Sequence, residues 1–446
     1  MSFRKARSTR DIQDSLKEKI QQTEDVIFKE LYTKVETINI FYVKTLSDET
    51  QVQDLLIKPF YEVKTELFLD YLQSHPKVKM FEDEEKTLDE LTRGTVVLFI
   101  QDWIFLFDLK MDRNSSVLDT TVETTIQGPQ SGFSESLGTN LGLIRQRYPQ
   151  PTLNMESTKI GKISQTKVLT IFDNKTVNQE VLNNVRKFLS SIDIEMFQSG
   201  EQLLDLIKKN NRALFPVMLI TERPDRVAVN LAAGKVALLV TGSPFAVILP
   251  TVLKDFMASM EDIYQTYWVG HFLIFLRYAG LFTSIILPAL YVATTAYNPE
   301  VYRVQLALSI AGSRTAVPYP AFIEVLVMLI TMELLTEASA RLPKAIGPTA
   351  TTVGGLILGQ AATEAGLVSN IMVIIVSAVA ISNFVIPINA FSFAVRLAKY
   401  FLLILSTFYG LVGVVIGFFI LVAYMVSLDS FGQPFLTLMQ NKSTNN

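Results

Sequence analysis

Apolar and polar positions divide the chain into two halves of different texture. In the first half, short apolar runs alternate with polar stretches. Residues 8–31 read as a charged amphipathic helix with Asp11 near its start. Residues 37–45 (TINIFYVKT) are β-branched and aromatic and predict a strand, followed by a helix near Asp48–Ile57. Two apolar runs in TVVLFIQDWIFLFDL, broken at Gln101-Asp102, predict a hairpin, and residues 111–121 a polar loop. A buried strand is expected at Lys167–Asp173, helices at Asn178–Ser190 and Glu201–Lys209, and a strand at Pro216–Arg223. Residues 226–242 predict two further strands about a turn at Ala233-Gly234. Strands alternating with helices indicate one or two small α/β units.

In the second half the apolar runs lengthen. Residues 268–294, 318–335, 346–362, 367–391 and 400–428 are candidate spanning segments, since about 20 apolar residues cross the hydrocarbon core. Four or five helices of that kind are expected. Residues 245–257 are apolar but short and hold Lys254-Asp255, which suits a re-entrant or interfacial helix. Residues 301–311 carry Arg303 and Gln305 and read as interfacial. The fold expected is an α/β soluble N-terminal region over residues 1–242, an all-α polytopic membrane domain over 243–436, and a short polar tail over 437–446.

Charge sharpens that boundary. Residues 245–446 hold 18 charged side chains in 202 positions, against 65 in the 244 before them. The chain is thus neither wholly soluble nor wholly integral. Cysteine is absent, which excludes a disulfide framework and thiolate chemistry. The only histidines, His75 and His271, are far apart in sequence, so no triad or His-rich metal site is expected. The first half has 31 basic and 34 acidic residues and no nucleic-acid footprint. There is no G-x-x-x-x-G-K-[ST] phosphate loop, and an enzyme is not expected. The opening MSFRKARSTRDIQDSLKEKIQQ lacks the apolar core of a signal peptide. The N-terminal half is therefore expected to stay on the side where it was made. Counting basic residues in the loops puts Arg341, Lys344, Arg396 and Lys399 on the inside with that half, and Arg303 and Arg314 outside.

Ionisable groups within a bilayer mark function more often than structure. Glu324, Glu333 and Glu337 share one expected helix. At about 100° per residue, Glu333 and Glu337 share a face and Glu324 lies nearly opposite. Glu324, Glu333, Arg277 and Asn383 are candidates for an ion path, Glu333 either facing water or pairing with Arg277. Gly355 with Gly359, and Gly413 with Gly417, form G-x-x-x-G faces that permit close helix contact within or between chains.

Two polar segments stand out. In IQGPQSGFSESLGTNLGLIRQRYPQ a turn at Gly128-Pro129 and Gly132 feeds a helix capped by Ser134, with Glu135 behind the cap and Arg145 and Arg147 near the helix end. In ERPDRVA, Glu222, Arg223, Asp225 and Arg226 crowd about Pro224. An exposed charge cluster there would contribute little. These segments resemble the A subunits of the GerA-type spore germinant receptors. So do GKVALLV (234–240), GSPFA (242–246), SRTAVPYPAFIE (313–324), RLPKAIGPT (341–349), GQAATEAGLVS (359–369) and SFGQPFL (430–436). Gln127, Ser131, Thr241, Tyr297 and Asn370 depart from the usual pattern. The resemblance implies a cytosolic N-terminal domain and a membrane domain in the spore inner membrane, without a cofactor. It also implies a transporter-like B subunit and a lipoprotein C subunit as partners, and a homo-oligomer acting as a nutrient-gated cation channel. Gly128, Pro129, Gly132, Glu135, Arg145, Arg147, Glu222, Arg223, Asp225 and Arg226 are then candidates for assembly or gating. The alternatives are an accessory A-type protein of the dipicolinate-release channel and a secondary transporter, for which no inverted repeat is visible.

Overall fold

A computed structural model of the chain describes residues 9–20, 24–33, 36–111, 118–123, 125, 127–211, 213–343 and 346–437. The chain divides into two compact units. One comprises Met1–Arg212, Met218–Thr251 and Ser430–Gln433, the other Ala213–Val217, Val252–Asp429 and Pro434–Asn446.

In the first unit, α1 (Thr9–Lys19) is followed by β1 (Val26–Tyr32), β2 (Thr37–Val43), β3 (Val78–Met80), β4 (Val96–Ile100) and β5 (Trp103–Phe107). The sheet order is β1-β2-β4-β5-β3, antiparallel throughout. Alternation sets its two faces. Ile38, Ile40, Leu98, Ile100, Phe105 and Phe107 pack with Leu56, Phe60, Phe68 and Leu72. Phe41, Val97, Phe99 and Ile104 point the other way, to Ile12 and Leu16 of α1 and to Leu91. Helices cover both faces, so β4 is apolar at every position. The amphipathic helix expected over 8–31 stops at Lys19. Residues 26–32 pair along their whole length with β2, from Val26 opposite Val43 to Tyr32 opposite Thr37. The hairpin broken at Gln101-Asp102 forms as β4–β5. Of the loop expected at 111–121, residues 112–117 lie outside the described residues.

A second antiparallel sheet follows. α2 (Leu137–Arg147) precedes β6 (Leu153–Ile160) and β7 (Thr166–Asp173). After α3 (Gln179–Ser190) come β8 (Leu219–Thr221), α4 (Pro224–Ala232), β9 (Val236–Val240) and β10 (Ala246–Leu249). The order is β8-β10-β9-β7-β6. Val181, Leu182, Val185 and Leu189 of α3 seat on Phe172, Val236, Leu238 and Val247, and Asn178 caps α3 by accepting from Glu180 and Val181 N–H. The cap of α2 is Ser136 and not Ser134, whose backbone N–H instead donates to the Asn140 side chain.

Two expectations are corrected here. Residues 226–232 are helical, because Pro224 at the first helical position presets the backbone and Val227, Ala228 and Leu231 make a buried helical face. Residues 245–257 are not one helix either. Ala246–Leu249 is a fully buried strand between β8 and β9, and only Leu253–Met257 is helical.

The second unit is helical: α5 (Tyr267–Ala296), α6 (Val304–Ser313), α7 (Ala321–Ala340), α8 (Gly347–Glu364), α9 (Asn370–Phe384) and α10 (Asn389–Ser427). Tyr291 and Val292 of α5, Val325, Met328 and Leu329 of α7, Met372, Val376 and Val379 of α9, and Leu403 of α10 share one core. Among the described residues, α5 and α10 are the two helices long and apolar enough to cross a bilayer. The sequence pattern alone predicts four or five. Residues 367–391 do not form one helix. α9 holds 15 residues, about 22 Å of rise against about 30 Å of hydrocarbon, and its ladder stops before Pro387. The final helix bends at Gly410, which sits at φ 60° and ψ −140°. Beyond the bend Gly417 comes against Leu402 and Leu405 of the first arm, so this G-x-x-x-G face closes within the chain. Lys344 and residues 438–446 of the expected tail lie outside the described residues.

Candidate functional site

The two polar segments of the first unit meet, although about 90 residues separate them in sequence. Glu222 follows β8 and is 6% exposed. Its carboxylate accepts the backbone N–H of Val122 (2.5 Å) and Glu123 (2.7 Å), and its carbonyl accepts that of Phe133 (2.8 Å). Arg223, 1% exposed, donates twice to Asp225 (2.7 and 3.1 Å). It also donates to the carbonyls of Glu123 (3.1 Å) and Pro129 (3.0 Å) and to Thr125 Oγ1 (3.0 Å). Arg226 donates to the Glu123 carboxylate at 2.9 Å. A Cβ at Gly132 would stand 3.3 Å from the Leu118 carbonyl oxygen and 3.5 Å from that of Glu222. The ERPDR residues are therefore no surface cluster. They form a buried clamp on the loop over 121–133, with donors and acceptors matched.

The remaining candidates scatter. Arg147 donates to Ser131 Oγ of the same loop (2.7 Å). Arg145, two residues earlier, emerges on the other side of α2 and is buried in a bidentate pair with Asp25 (2.7 and 2.9 Å). Gly128 and Glu135 are exposed, and the Glu135 carbonyl accepts from Gly242 N–H (3.1 Å). At the end of α2, burial and then the Asp173 carboxylate push the Tyr148 phenol well above its usual range.

In the second unit each ion-path candidate finds a partner. Glu324, in the first turn of α7, is 1% exposed. It accepts from Ser369 N–H and Oγ–H (both 2.6 Å) and from Arg314 (3.2 Å). Arg277 pairs with Asp262 (2.8 Å) and donates to the Met257 carbonyl (3.2 Å), not to Glu333. Glu333 is engaged instead by two cations of α10, Arg396 and Lys399, the latter at 2.8 Å. Asn383 accepts from Ser284. A cavity of about 270 Å³ is lined by Glu333, Glu337, Asn383, Arg396 and Lys399 together with apolar side chains. Glu333 and Glu337 thus share a face, as their spacing requires, while Glu324 and Arg277 do not line this cavity.

Sequence reasoning missed Asp25, Glu123, Asp262 and Ser369, which are ordinary polar residues until the fold brings a buried cation or carboxylate to them. Arg396 and Lys399 enter the sequence reading only as topology markers. Their three-residue spacing on an apolar helix was the available signal. Among the described residues no group of three or more His, Asp or Glu side chains is placed to hold a metal ion.

Comparison with known proteins gives a consistent result across both units. The family described as Bacillus/Clostridium GerA spore germination protein matches residues 14–446. Spore germination protein KA of Bacillus subtilis is 32% identical over 433 residues, 94% of this chain and 80% of that protein. Spore germination protein GerLA of Bacillus cereus is 37% identical over 349 residues, 78% of this chain and 71% of that one. The crystal structure of the N-terminal domain of the A subunit of the Bacillus megaterium spore germinant receptor GerK3 superposes with a TM-score of 0.42 at 25% identity. That match covers 54% of this chain and 94% of the other.

Proposed function

Because the chain belongs to the Bacillus/Clostridium GerA family of spore germination proteins, we propose that it is the A-type membrane subunit of a receptor that starts endospore germination when nutrient is sensed. The observation that carries this reading is the family match along residues 14–446, which includes both units. In this reading the subunit works in the spore inner membrane with its N-terminal unit on the core side. It assembles with a transporter-like B subunit and a lipoprotein C subunit, and copies of the chain form a nutrient-gated cation channel. Support for an ion path comes from α7, whose Glu333 lines a cavity between helices.

The clamp on the 121–133 loop is proposed to serve assembly or gating, since it joins buried cations to a turn and offers no nucleophile with a base. Gly132→Ala should press the Leu118 carbonyl back by a few tenths of an ångström within the clamp, and Arg226→Ala should strand Glu123. Spores carrying either change are expected to germinate several-fold more slowly in nutrient, the cost of a buried pair being about 3 kcal/mol. Germination by exogenous dipicolinate is expected to be unchanged. Normal nutrient germination at normal protein level would overturn the reading.

A further inference from the structure

The Glu333 cavity has more hydrogen-bond donors than its walls can use. An ammonium offers three N–H groups and a guanidinium five. Lys399 is 2% exposed and gives one N–H to Glu333. Arg396 gives one to the other Glu333 oxygen and lies over the Phe393 ring. The neighbouring acceptors each already take a bond from elsewhere. Asn383 Oδ1 takes the Ser284 hydroxyl, its carbonyl takes Ser392, and Glu337 is paired with Arg341. One carboxylate thus faces two cations in a pocket otherwise walled by Leu329, Val379 and Phe384 among other apolar groups. An uncompensated charge in such surroundings is costly. Glu337, 59% exposed, stands on the open side and leaves a way in.

We propose that this cavity is a binding site for a small organic monoanion, whose carboxylate or phosphodiester oxygens take the unused N–H groups of Arg396 and Lys399 while its apolar part lies on Leu329, Val379 and Phe384. One negative charge matches the local excess, and the planar guanidinium fork suits two oxygens on one centre. The bound anion competes with Glu333 for the same two cations, so its arrival loosens the ion pairs between α7 and α10. Binding here requires no channel activity. A failure of binding and a failure of nutrient germination are therefore read separately.

The test uses the purified full chain in detergent, with sodium butyrate as the carboxylate probe and sodium chloride at equal ionic strength as the reference. Butyrate should raise the thermal midpoint saturably, and chloride should not. Lys399→Met, which keeps the stem and removes the charge, should abolish the effect. Arg303→Gln, outside the cavity, should leave it intact. Glu333→Gln removes the competing carboxylate and should tighten butyrate binding by about tenfold, a change that a merely structural ion pair would not give. If Lys399→Met does not fold, Glu333→Gln alone decides. Reconstitution in phosphatidylcholine with and without phosphatidylglycerol separates the sources. Loss of butyrate binding with phosphatidylglycerol identifies a lipid headgroup as occupant, and retention identifies a soluble carboxylate. Equal responses to butyrate and chloride in both the natural chain and Glu333→Gln would overturn the proposal.

Discussion

At the scale of single residues, burial decides what a charge does. Arg223 and Arg226 are three residues apart in a polar stretch, and either could have been a solvated cation. The fold places both below 5% exposure and gives Arg223 four separate partners. A planar fork reaches all of them and an ammonium cannot. Arg223→Lys is therefore expected to lower the stability of the first unit by about 3 kcal/mol, read as a shift of the urea midpoint. Retention of the natural midpoint would show that the 121–133 loop is held by something else. The same logic explains which candidates could be recognised in advance. Glu222, Arg223, Asp225 and Arg226 are conspicuous because they are dense. Asp25 and Glu123 are as buried or nearly so, yet nothing adjacent in sequence distinguishes them.

At the scale of elements, periodicity was a good guide wherever the local pattern and the packing agreed. The β4–β5 hairpin and α3 form where alternation and a 3.6-residue repeat place them. Prediction failed at 226–232 and 246–249, where runs of Val, Ala, Leu and Ile satisfy either period. There Pro224 and the vacancy between two strands made the choice. The last helix shows a further limit. Its apolar run carries no sign of a reversal except glycine. At φ 60° and ψ −140°, Gly410 sits where a side chain is strained, and a Cβ at Gly413 would overlap the Leu405 carbonyl oxygen. Gly413→Ala must open the bend. Overpacking of this kind costs about 1–3 kcal/mol, and the thermal midpoint of the purified chain should fall accordingly. An unchanged midpoint would mean that the two arms do not meet as described.

At the scale of the whole molecule, the fall in charge density after about residue 244 marks the change of solvent, but the sheet extends past it. β10, residues 246–249, lies between β8 and β9, although its four residues are as apolar as a membrane segment. We propose Thr251 as the end of a separable N-terminal fragment. A fragment ending at Gly242 would leave β8 and β9 without their shared neighbour, and unpaired strand edges promote aggregation. Residues 1–251 should express as soluble monomer and residues 1–242 should largely precipitate. Equal solubility would place the boundary earlier.

The sequence by itself determined the division into an α/β region and an apolar helical region, the family, and the opposite facing of Glu324 and Glu333, because each follows from composition, motif order or angular spacing along one helix. Only the tertiary structure decided which charges meet. Glu333 pairs with Arg396 and Lys399 and not with Arg277, Glu324 accepts from Ser369 and Arg314, and Glu222 holds a loop about 100 residues earlier. Such pairings depend on how helices and strands from distant parts of the chain are brought together. A local pattern shows that a buried charge needs a partner, but it does not say which one the fold supplies.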